Sequence, residues 1–412
     1  MKNVLVVQLA RFGDIVQSKR LVNSIAAEPG VQVHLCLDVG LVSLARLVYP
    51  QAVLHPLPAH ADKGSATEEA HRVLECSRAT LHELSGMDFS AVYTLNATPM
   101  TNAIAAIFAP EIVIGYSMLR GQPMRSRWAA MFSRLTEDRL TSPLNLVDYW
   151  GHFHPAPIAP ARVNPVARRA GSGRYGLVMA GQQARRSLPP RVLAEVVKAL
   201  FKAYQGPTFV CLGTKRERPL VRQLVRELPV RIVEKIDDQT GATALTDLPE
   251  ILAGLDGLLT PDTGLMHLAC HVGVPVQAIF LSSAWCFETG PYGLGHKVWQ
   301  AVEPCLPCLE SAPCPHEVQC LRHFTGEPFL RHISGEFGEE WPAGICGFVT
   351  GFDSLGGIYR MVDGHDPAFQ ARLEKRLAVS AVVDSRSGND APVPMPRGAA
   401  ERVFADSDSI LP

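Results

Sequence analysis

The chain has 412 residues, of which 47% are hydrophobic, and this length exceeds that of a typical single domain, so we expect two cores. Its 39 basic and 40 acidic side chains balance, which leaves no broad positive field and argues against a nucleic-acid partner. No stretch suits a signal peptide or offers the roughly 20 apolar residues of a membrane span, so we expect a cytoplasmic protein.

The first part of the chain alternates β-rich runs with helical stretches, which indicates parallel βαβ units over residues 1–155. The predicted strands are Asn3–Leu9, Val31–Leu37, Phe89–Leu95 and Ile112–Gly115. Apolar residues near helical spacing predict a helix that starts after Gly13 and Asp14. The Arg11–Asp14 loop therefore follows the carboxyl end of a strand, where open α/β sheets bind ligands.

A second set of strands follows a proline-rich segment, 156–173, which we predict to be a linker. Residues 174–323 then form another doubly wound domain. Its predicted strands are Tyr175–Ala180, Thr208–Leu212, Val230–Val233, Leu258–Leu259 and Val276–Leu281. The expected fold class is α/β, with two Rossmann-like domains that face each other across a ligand-binding cleft.

The remaining residues give weaker patterns. Residues 324–365 are rich in Gly and Phe, and we expect an irregular insertion or a lid. A helix is predicted over 366–384, where apolar residues recur four positions apart. The polar tail, 385–412, is expected to be disordered.

The segment Thr260–Ala269 directly follows a predicted strand and opens a predicted helix. The free N–H groups at such a junction attract phosphate, and Asp262 or Thr263 can cap the helix. Gly264 would allow close approach of the backbone, and His267 would add a donor to a pyrophosphate. The alternative is a capped helix with an ordinary core histidine.

The run from Asp262 to Ala269, followed by Gly273-Val274-Pro275-Val276, resembles the donor-binding signature of glycosyltransferase family 9, the heptosyltransferases. Other segments that resemble the family occur in the same order over roughly residues 1–323: Val4–Asp14, Thr289–Gly293, and Cys305 to Cys308 with Cys314-Pro315 and Cys320-Leu321. The resemblance implies a GT-B fold, and a nucleotide-sugar donor such as ADP-heptose held by the second domain. It also implies a glycan acceptor held by the first domain, and inversion without a catalytic metal.

Individual roles follow from the resemblance. Asp14 matches the family's base, with Arg11 and Gly13 beside it on the acceptor side. Arg186 matches a basic residue at the leaving diphosphate, although this chain has Leu188 where the family often has Trp. Glu217 matches an acidic residue that contacts the nucleotide ribose. The alternatives are a helix-capping Asp14, an exposed basic pair at Arg185 and Arg186, and a solvated Glu217.

Four cysteines cluster as Cys305-x2-Cys308-x5-Cys314-x5-Cys320. Four thiolates suit tetrahedral zinc, although only the first pair has the short spacing that is common in zinc sites. Structural zinc and reduced or disulfide-linked loop cysteines both remain open, and an iron–sulfur cluster is disfavoured. We expect these thiols to have a structural or lid role and none in the reaction.

The sequence thus predicts an inverting, metal-independent glycosyltransferase that moves a sugar, such as heptose from ADP-heptose, to a lipopolysaccharide core or related glycan. The alternatives are a family member with another donor and acceptor, a nucleotide-sugar epimerase, and a non-catalytic nucleotide-sugar-binding protein. A lipid-linked acceptor would bring the protein to the inner face of the cytoplasmic membrane as a peripheral protein. Arg120, Arg125, Arg127 and Trp128 could form the membrane patch, or else an ordinary basic loop with a buried Trp.

Overall fold

The computed structural model describes residues 1–59, 66–180, 184–309, 312–336, 340–385 and 392–394. The chain divides into two compact units. The first consists of Met1–Ala159 and the segment from Lys375 on, and the second is Pro160–Glu374. The boundary lies inside the segment predicted as a linker, whereas no sequence pattern predicts that the chain returns to the first unit.

The first unit is built on a mainly parallel sheet. Its strands are β1 (Lys2–Gln8), β2 (Val31–Asp38), β3 (Val53–Leu57), β4 (Phe89–Thr94), β5 (Val113–Leu119) and β6 (Gln122–Arg125), with a short strand at Val393–Pro394. Its helices are α1 (Phe12–Gln17), α2 (Lys19–Ala26), α3 (Val42–Val48), α4 (Ala66–Gly86), α5 (Pro99–Ala105), α6 (Arg127–Leu135) and α7 (Leu146–Gly151).

The strand order of this sheet starts at Val393–Pro394 and continues β6-β5-β4-β1-β2-β3. The chain therefore winds outward from β1 to β3, then crosses to the other side of β1 and continues with β4 and β5. The gap between β1 and β4 is the topological switch point, where ligands of doubly wound sheets bind. Leu5, Val6 and Val7 of β1 are fully buried, as expected for a central parallel strand whose two faces are both covered.

The second unit contains a larger sheet. Its strands are β7 (Arg174–Val178), β8 (Thr208–Leu212), β9 (Ile236–Asp238), β10 (Gly257–Pro261), β11 (Val276–Phe280), β12 (Lys297–Ala301), β13 (Ile345–Phe352) and β14 (Gly357–Asp363). Their order is β14-β13-β12-β11-β10-β7-β8-β9, and β13 and β14 pair in the antiparallel sense. The switch point of this sheet lies between β7 and β10.

The helices of the second unit cover this sheet. They are α8 (Pro190–Ala203), α9 (Arg218–Arg226), α10 (Val230–Val233), α11 (Leu248–Ala253), α12 (Gly264–Val272), α13 (Cys286–Thr289) and α14 (Glu327–Ile333). The last helix of the chain, α15 (Phe369–Ser385), lies where a helix was predicted over 366–384.

Val230–Val233 forms α10, and the prediction of a strand there is wrong. Three of its four residues are β-branched, which favours a strand in sequence, but only Ile232 is buried. Backbone bonds from Val233 N to Pro229 O and from Glu234 N to Val230 O close a single helical turn instead. The strand of this region is β9, a few residues later.

The segment 324–365 also differs from the expected irregular insertion. It contains α14 and the antiparallel pair of β13 and β14, which extends the sheet beyond β12. Glycines inside β13 hide the strand in sequence. Gly347 has no side chain that could mark a strand in the sequence. The structure favours glycine at this position, because a Cβ there would lie 3.0 Å from the Trp299 ring and 2.9 Å from the Trp341 ring. Of the predicted disordered tail after Ser385, only residues 392–394 are described, and the rest lies outside the described residues.

Candidate functional site

The segment around Thr263 forms the predicted strand-to-helix junction. β10 ends at Pro261, and Thr263 is the N-cap of α12, its side chain accepting a hydrogen bond from Met266 N at 3.4 Å. The helix ends at Gly273, whose φ of 91° lies in the left-handed region that favours glycine. Gly264 is the first residue of α12, so the N–H groups of this first turn lie at the switch point of the second unit.

Arg186 also lies at this switch point, in a short 3-10 helix (Ala184–Arg186) that follows β7. Its Nε donates to Ser283 Oγ at 2.8 Å, and its Nη1 lies 3.8 Å from Asp262 Oδ2. The Arg186 side chain is only 16% exposed. Arg186 is thus a partly buried cation in a fixed orientation, and the interpretation as an exposed basic pair does not describe it.

Asp262 is held in turn by Thr289, whose hydroxyl donates to Asp262 Oδ2 at 3.0 Å. The same carboxylate oxygen therefore faces both the Thr289 hydroxyl and the Arg186 guanidinium. This contact makes Asp262 a positioning group for Arg186. No pattern in the sequence predicts the contact between Thr289 and Asp262, although Thr289 begins one of the segments that carry the family resemblance.

His267 lies in α12, one turn from the N-cap, and is 4% exposed. Burial lowers the pKa of His267 to about 3, so its ring is neutral at physiological pH. Within the described part of the chain the ring makes no hydrogen bond. A neutral imidazole can still donate one N–H but brings no positive charge to a diphosphate.

Asp14 belongs to the first unit and stands in the first turn of α1. Its Oδ2 accepts a hydrogen bond from Arg11 N at 3.0 Å, which is the capping interaction given as the alternative interpretation. Arg11, Gly13 and Asp14 are half-buried and follow β1 at the switch point of this unit. The role of Asp14 as a base stays a prediction.

Glu217 ends a 3-10 helix (Lys215–Glu217) after β8 and also acts as a cap. Its Oε2 accepts a hydrogen bond from Thr214 N at 2.5 Å, and its side-chain carbons lie against Gly213. One carboxylate oxygen is therefore already engaged. Contact with a ribose stays a prediction.

The cysteine cluster lies next to the loop that holds Arg186. Cys308 N donates to Ser282 O at 3.0 Å, and the neighbouring Ser283 accepts from Arg186. The Arg185 guanidinium donates to Leu309 O and Ala312 O, both at 2.5 Å. Proximity in space thus links the cysteine-rich loop to the site, although the two are distant in sequence.

Two thiols of this cluster, those of Cys308 and Cys320, have raised pKa values. Burial first, and then the neighbouring Cys305 and Cys314, raises the pKa of the Cys308 thiol. Burial raises the pKa of Cys320 to about 11. Among the described residues, no three His, Cys, Asp or Glu side chains are grouped so that they could hold a metal ion, and structural zinc at these cysteines stays a prediction.

The basic segment at 120–128 does not form an exposed aromatic patch. Trp128 is 2% exposed and its indole N–H donates to Tyr149 O at 2.9 Å, while Arg125 is also buried. The buried Trp agrees with the alternative interpretation, whereas the predicted loop is wrong in part, because Arg125 belongs to β6 and Trp128 to α6. In the described part of the chain, no helix is both long and apolar enough to cross a bilayer.

Comparison with known proteins identifies the segment that contains the Arg186 cluster. Residues 179–317 match the model of glycosyltransferase family 9 (heptosyltransferase). This segment is similar to the family 9 glycosyltransferase domain. It includes Arg186, Glu217, the Asp262–His267 run and Thr289, and it confirms the resemblance drawn from the sequence.

Individual relatives agree with this identification. Over 76 residues the chain is 28% identical to lipooligosaccharide heptosyltransferase 2 of Haemophilus influenzae, a match that covers 18% of this chain and 22% of that protein. The chain therefore spans about a fifth of the length of that curated relative.

Two solved structures resemble the whole chain more broadly. The E. coli ADP-heptose LPS heptosyltransferase II structure matches with a TM-score of 0.52 at 14% identity, over 92% of this chain and 100% of that one. A family 9 glycosyl transferase from Veillonella parvula matches with a TM-score of 0.51 at 17% identity, over 71% of this chain and 83% of that one. These likenesses confirm the predicted α/β fold of the GT-B type with Rossmann-like domains.

Proposed function

We propose that the protein is an inverting, metal-independent glycosyltransferase that transfers heptose from ADP-heptose to a lipopolysaccharide core or related glycan acceptor. The observation that carries this proposal is the Arg186 cation, held by Ser283 and Asp262 beside the N-terminus of α12. An arginine fork and the free N–H groups of a helix N-terminus are together suited to a diphosphate. The names of two similar proteins, an ADP-heptose LPS heptosyltransferase and a lipooligosaccharide heptosyltransferase, support the donor and acceptor classes.

The second unit would hold the donor. In this proposal Arg186 and the first turn of α12, at Thr263 and Gly264, contact the diphosphate, and Glu217 contacts the ribose. His267 contributes a neutral N–H. As the bond between the sugar and the diphosphate breaks, negative charge grows on the departing phosphate, and the Arg186 charge stabilises it.

The first unit would supply the base. Asp14 accepts the proton of the acceptor hydroxyl as its oxygen attacks the anomeric carbon, and ADP leaves from the opposite face, which inverts that centre. Arg11 and Gly13 form the acceptor side of the same loop. The cysteine cluster takes no part in this step.

The test measures ADP release from ADP-heptose with a truncated Kdo-lipid A acceptor, and the product mass. We expect Asp14→Asn to lower the rate by about 100-fold or more, because the amide keeps a capping oxygen but cannot take a proton. Asp138→Asn is the matched control, since Asp138 also caps a short helix in the first unit. The base role is wrong if both variants keep the wild-type rate.

In the same assay, Arg186→Met tests the donor site. We expect a loss of about 100-fold in kcat/KM, because the half-buried Asp262 loses its cationic partner and the leaving group loses its charge partner. Turnover of the nucleotide sugar without acceptor would indicate an epimerase, and binding without turnover a binding protein. If only a different nucleotide sugar gave a thermal shift, the assignment to a glycosyltransferase would stand and ADP-heptose would be rejected as the donor.

A further inference from the structure

Two buried amides stand at the switch point of the first unit. Gln8 is the last residue of β1, and Asn96 follows the end of β4, its direct neighbour in the sheet. The parallel register pairs Val7 with Thr94, and Leu95 N donates to Val7 O at 3.1 Å. The two side chains therefore lie at the same carboxyl edge, just past the last residues that pair β1 with β4.

The orientation of both amides is fixed by the backbone of the loop that leads to Asp14. Leu9 N donates to Asn96 Oδ1 at 3.0 Å, and Ala10 N donates to Gln8 Oε1 at 3.3 Å. An N–H group can pair only with the oxygen of an amide, so the nitrogens face away from these contacts.

Neither amide nitrogen has a hydrogen-bond partner among the residues that the structure describes. Gln8 is 0% exposed and Asn96 is 1% exposed, and neither Gln8 Nε2 nor Asn96 Nδ2 makes a hydrogen bond within the described part of the chain. A buried polar group without a partner costs free energy, and native proteins rarely keep one without a use. Two such donors at the carboxyl edge of the neighbouring strands β1 and β4, at a switch point, indicate a ligand that supplies oxygen atoms.

We propose that Gln8 and Asn96 form a subsite for the acceptor sugar, in which their amide N–H groups donate to hydroxyl oxygens beside the hydroxyl that reacts at Asp14. This inference rests on the proposed function and adds the residues that select the acceptor. The switch point of the second unit carries the charged Arg186, which suits a diphosphate, whereas neutral amides suit uncharged sugar hydroxyls. Because both nitrogens are closed to solvent, the loop from Leu9 to Asp14 shifts when the acceptor binds.

The test uses the full chain with Gln8→Glu and Asn96→Asp. Each variant keeps an oxygen for the backbone N–H group and removes the N–H donors. We expect the KM for the Kdo-lipid A acceptor to rise about tenfold or more in each, while the KM for ADP-heptose stays within about twofold. Asn145→Asp is the matched control, because Asn145 is equally buried in the same unit and its oxygen accepts from Val147 N.

The inference is overturned if acceptor and donor KM rise together, or if Asn145→Asp changes the acceptor KM as much as Asn96→Asp does. Wild-type protein that transfers no sugar would reject the proposed function. Binding of the deacylated Kdo-containing saccharide, measured by calorimetry, then decides the subsite separately. Binding that is lost in Gln8→Glu and Asn96→Asp supports it, and no binding by the wild type overturns it.

Discussion

At the scale of single residues, buried histidines connect the fold to pH. Burial lowers the pKa of His296 to about 4, and its Nδ1 accepts a hydrogen bond from Val276 N at 3.2 Å, a contact that needs the neutral ring. His267 has its pKa lowered to about 3 for the same reason. The folded protein therefore binds fewer protons than the unfolded chain, in which a histidine has a pKa near 6.5.

The contribution of each histidine to the free energy of unfolding is fully present above about pH 6.5. It decreases as the pH falls toward the pKa of the folded state, and the loss is about 2 kcal/mol per histidine at pH 5. We expect His296→Gln to remove about that much of the difference in unfolding free energy between pH 7.5 and pH 5. Urea titrations at the two pH values measure it.

The control for this prediction is His82→Gln, which changes an exposed histidine on α4. It should leave the pH dependence of unfolding as it is in the wild type. If the unfolding free energy of His296→Gln depended on pH as it does in the wild type, protonation of His296 would not contribute to the loss of stability at low pH.

At the scale of elements, a buried ion pair joins α2 to α7. Arg20 Nη1 lies 2.6 Å from Asp148 Oδ1, and the two side chains are 2% and 0% exposed. Arg20 Nε also donates to Ile158 O at 3.1 Å. Gly151 makes room for the arginine, because a Cβ there would lie 2.7 Å from Arg20 Cδ. The pair fixes the last helix of the first unit before the chain leaves it.

Asp148→Ala should therefore destabilise the protein by about 3–5 kcal/mol, because the Arg20 charge stays buried without its carboxylate. Chemical denaturation measures the change. Glu195→Ala breaks the exposed pair of Glu195 with Lys198 and should cost less than about 1 kcal/mol. Similar losses of unfolding free energy in Asp148→Ala and Glu195→Ala would contradict the expectation that burial determines the cost of breaking an ion pair.

Elements differ in how well local sequence predicts them. α12 was predictable because its signals are local: Thr263 caps its start and Gly273 ends it. α10 and β13 were mispredicted because their state depends on burial and on neighbouring strands. β13 becomes a strand between β12 and β14, and neither partner is visible in its own residues.

At the scale of the whole molecule, the chain returns to its first unit through α15. Lys375 Nζ donates to Thr141 Oγ1 at 2.5 Å and to Leu135 O at 3.2 Å, and Arg376 Nη1 donates to Pro143 O at 2.7 Å. Val379, on the same helix, is 1% exposed. The later part of α15 therefore belongs structurally to the unit that begins at Met1.

A chain that ends at Glu374 should have a less stable first unit, because it loses these hydrogen bonds and the burial of Val379. Limited proteolysis with mass spectrometry should place its new cleavage sites within Met1–Ala159. A chain that ends at Pro394 keeps α15 and the strand paired with β6, and should be cleaved like the full chain. If both truncated chains gave the full-chain pattern, α15 would not support the first unit.

The sequence by itself determined the βαβ rhythm of both units, the capped start of α12, and the family that residues 179–317 resemble. These features depend on periodicity and on residues next to each other in the chain. Only the tertiary structure decided that Arg186 meets Asp262 and Ser283, and that Gln8 stands beside Asn96. The physical reason is that these residues stand at or after the carboxyl ends of strands that are close in the sheet but apart in the sequence: β7, β10 and β11 in the second unit, and β1 and β4 in the first. Strand order is set by packing of the whole sheet, which no local pattern encodes.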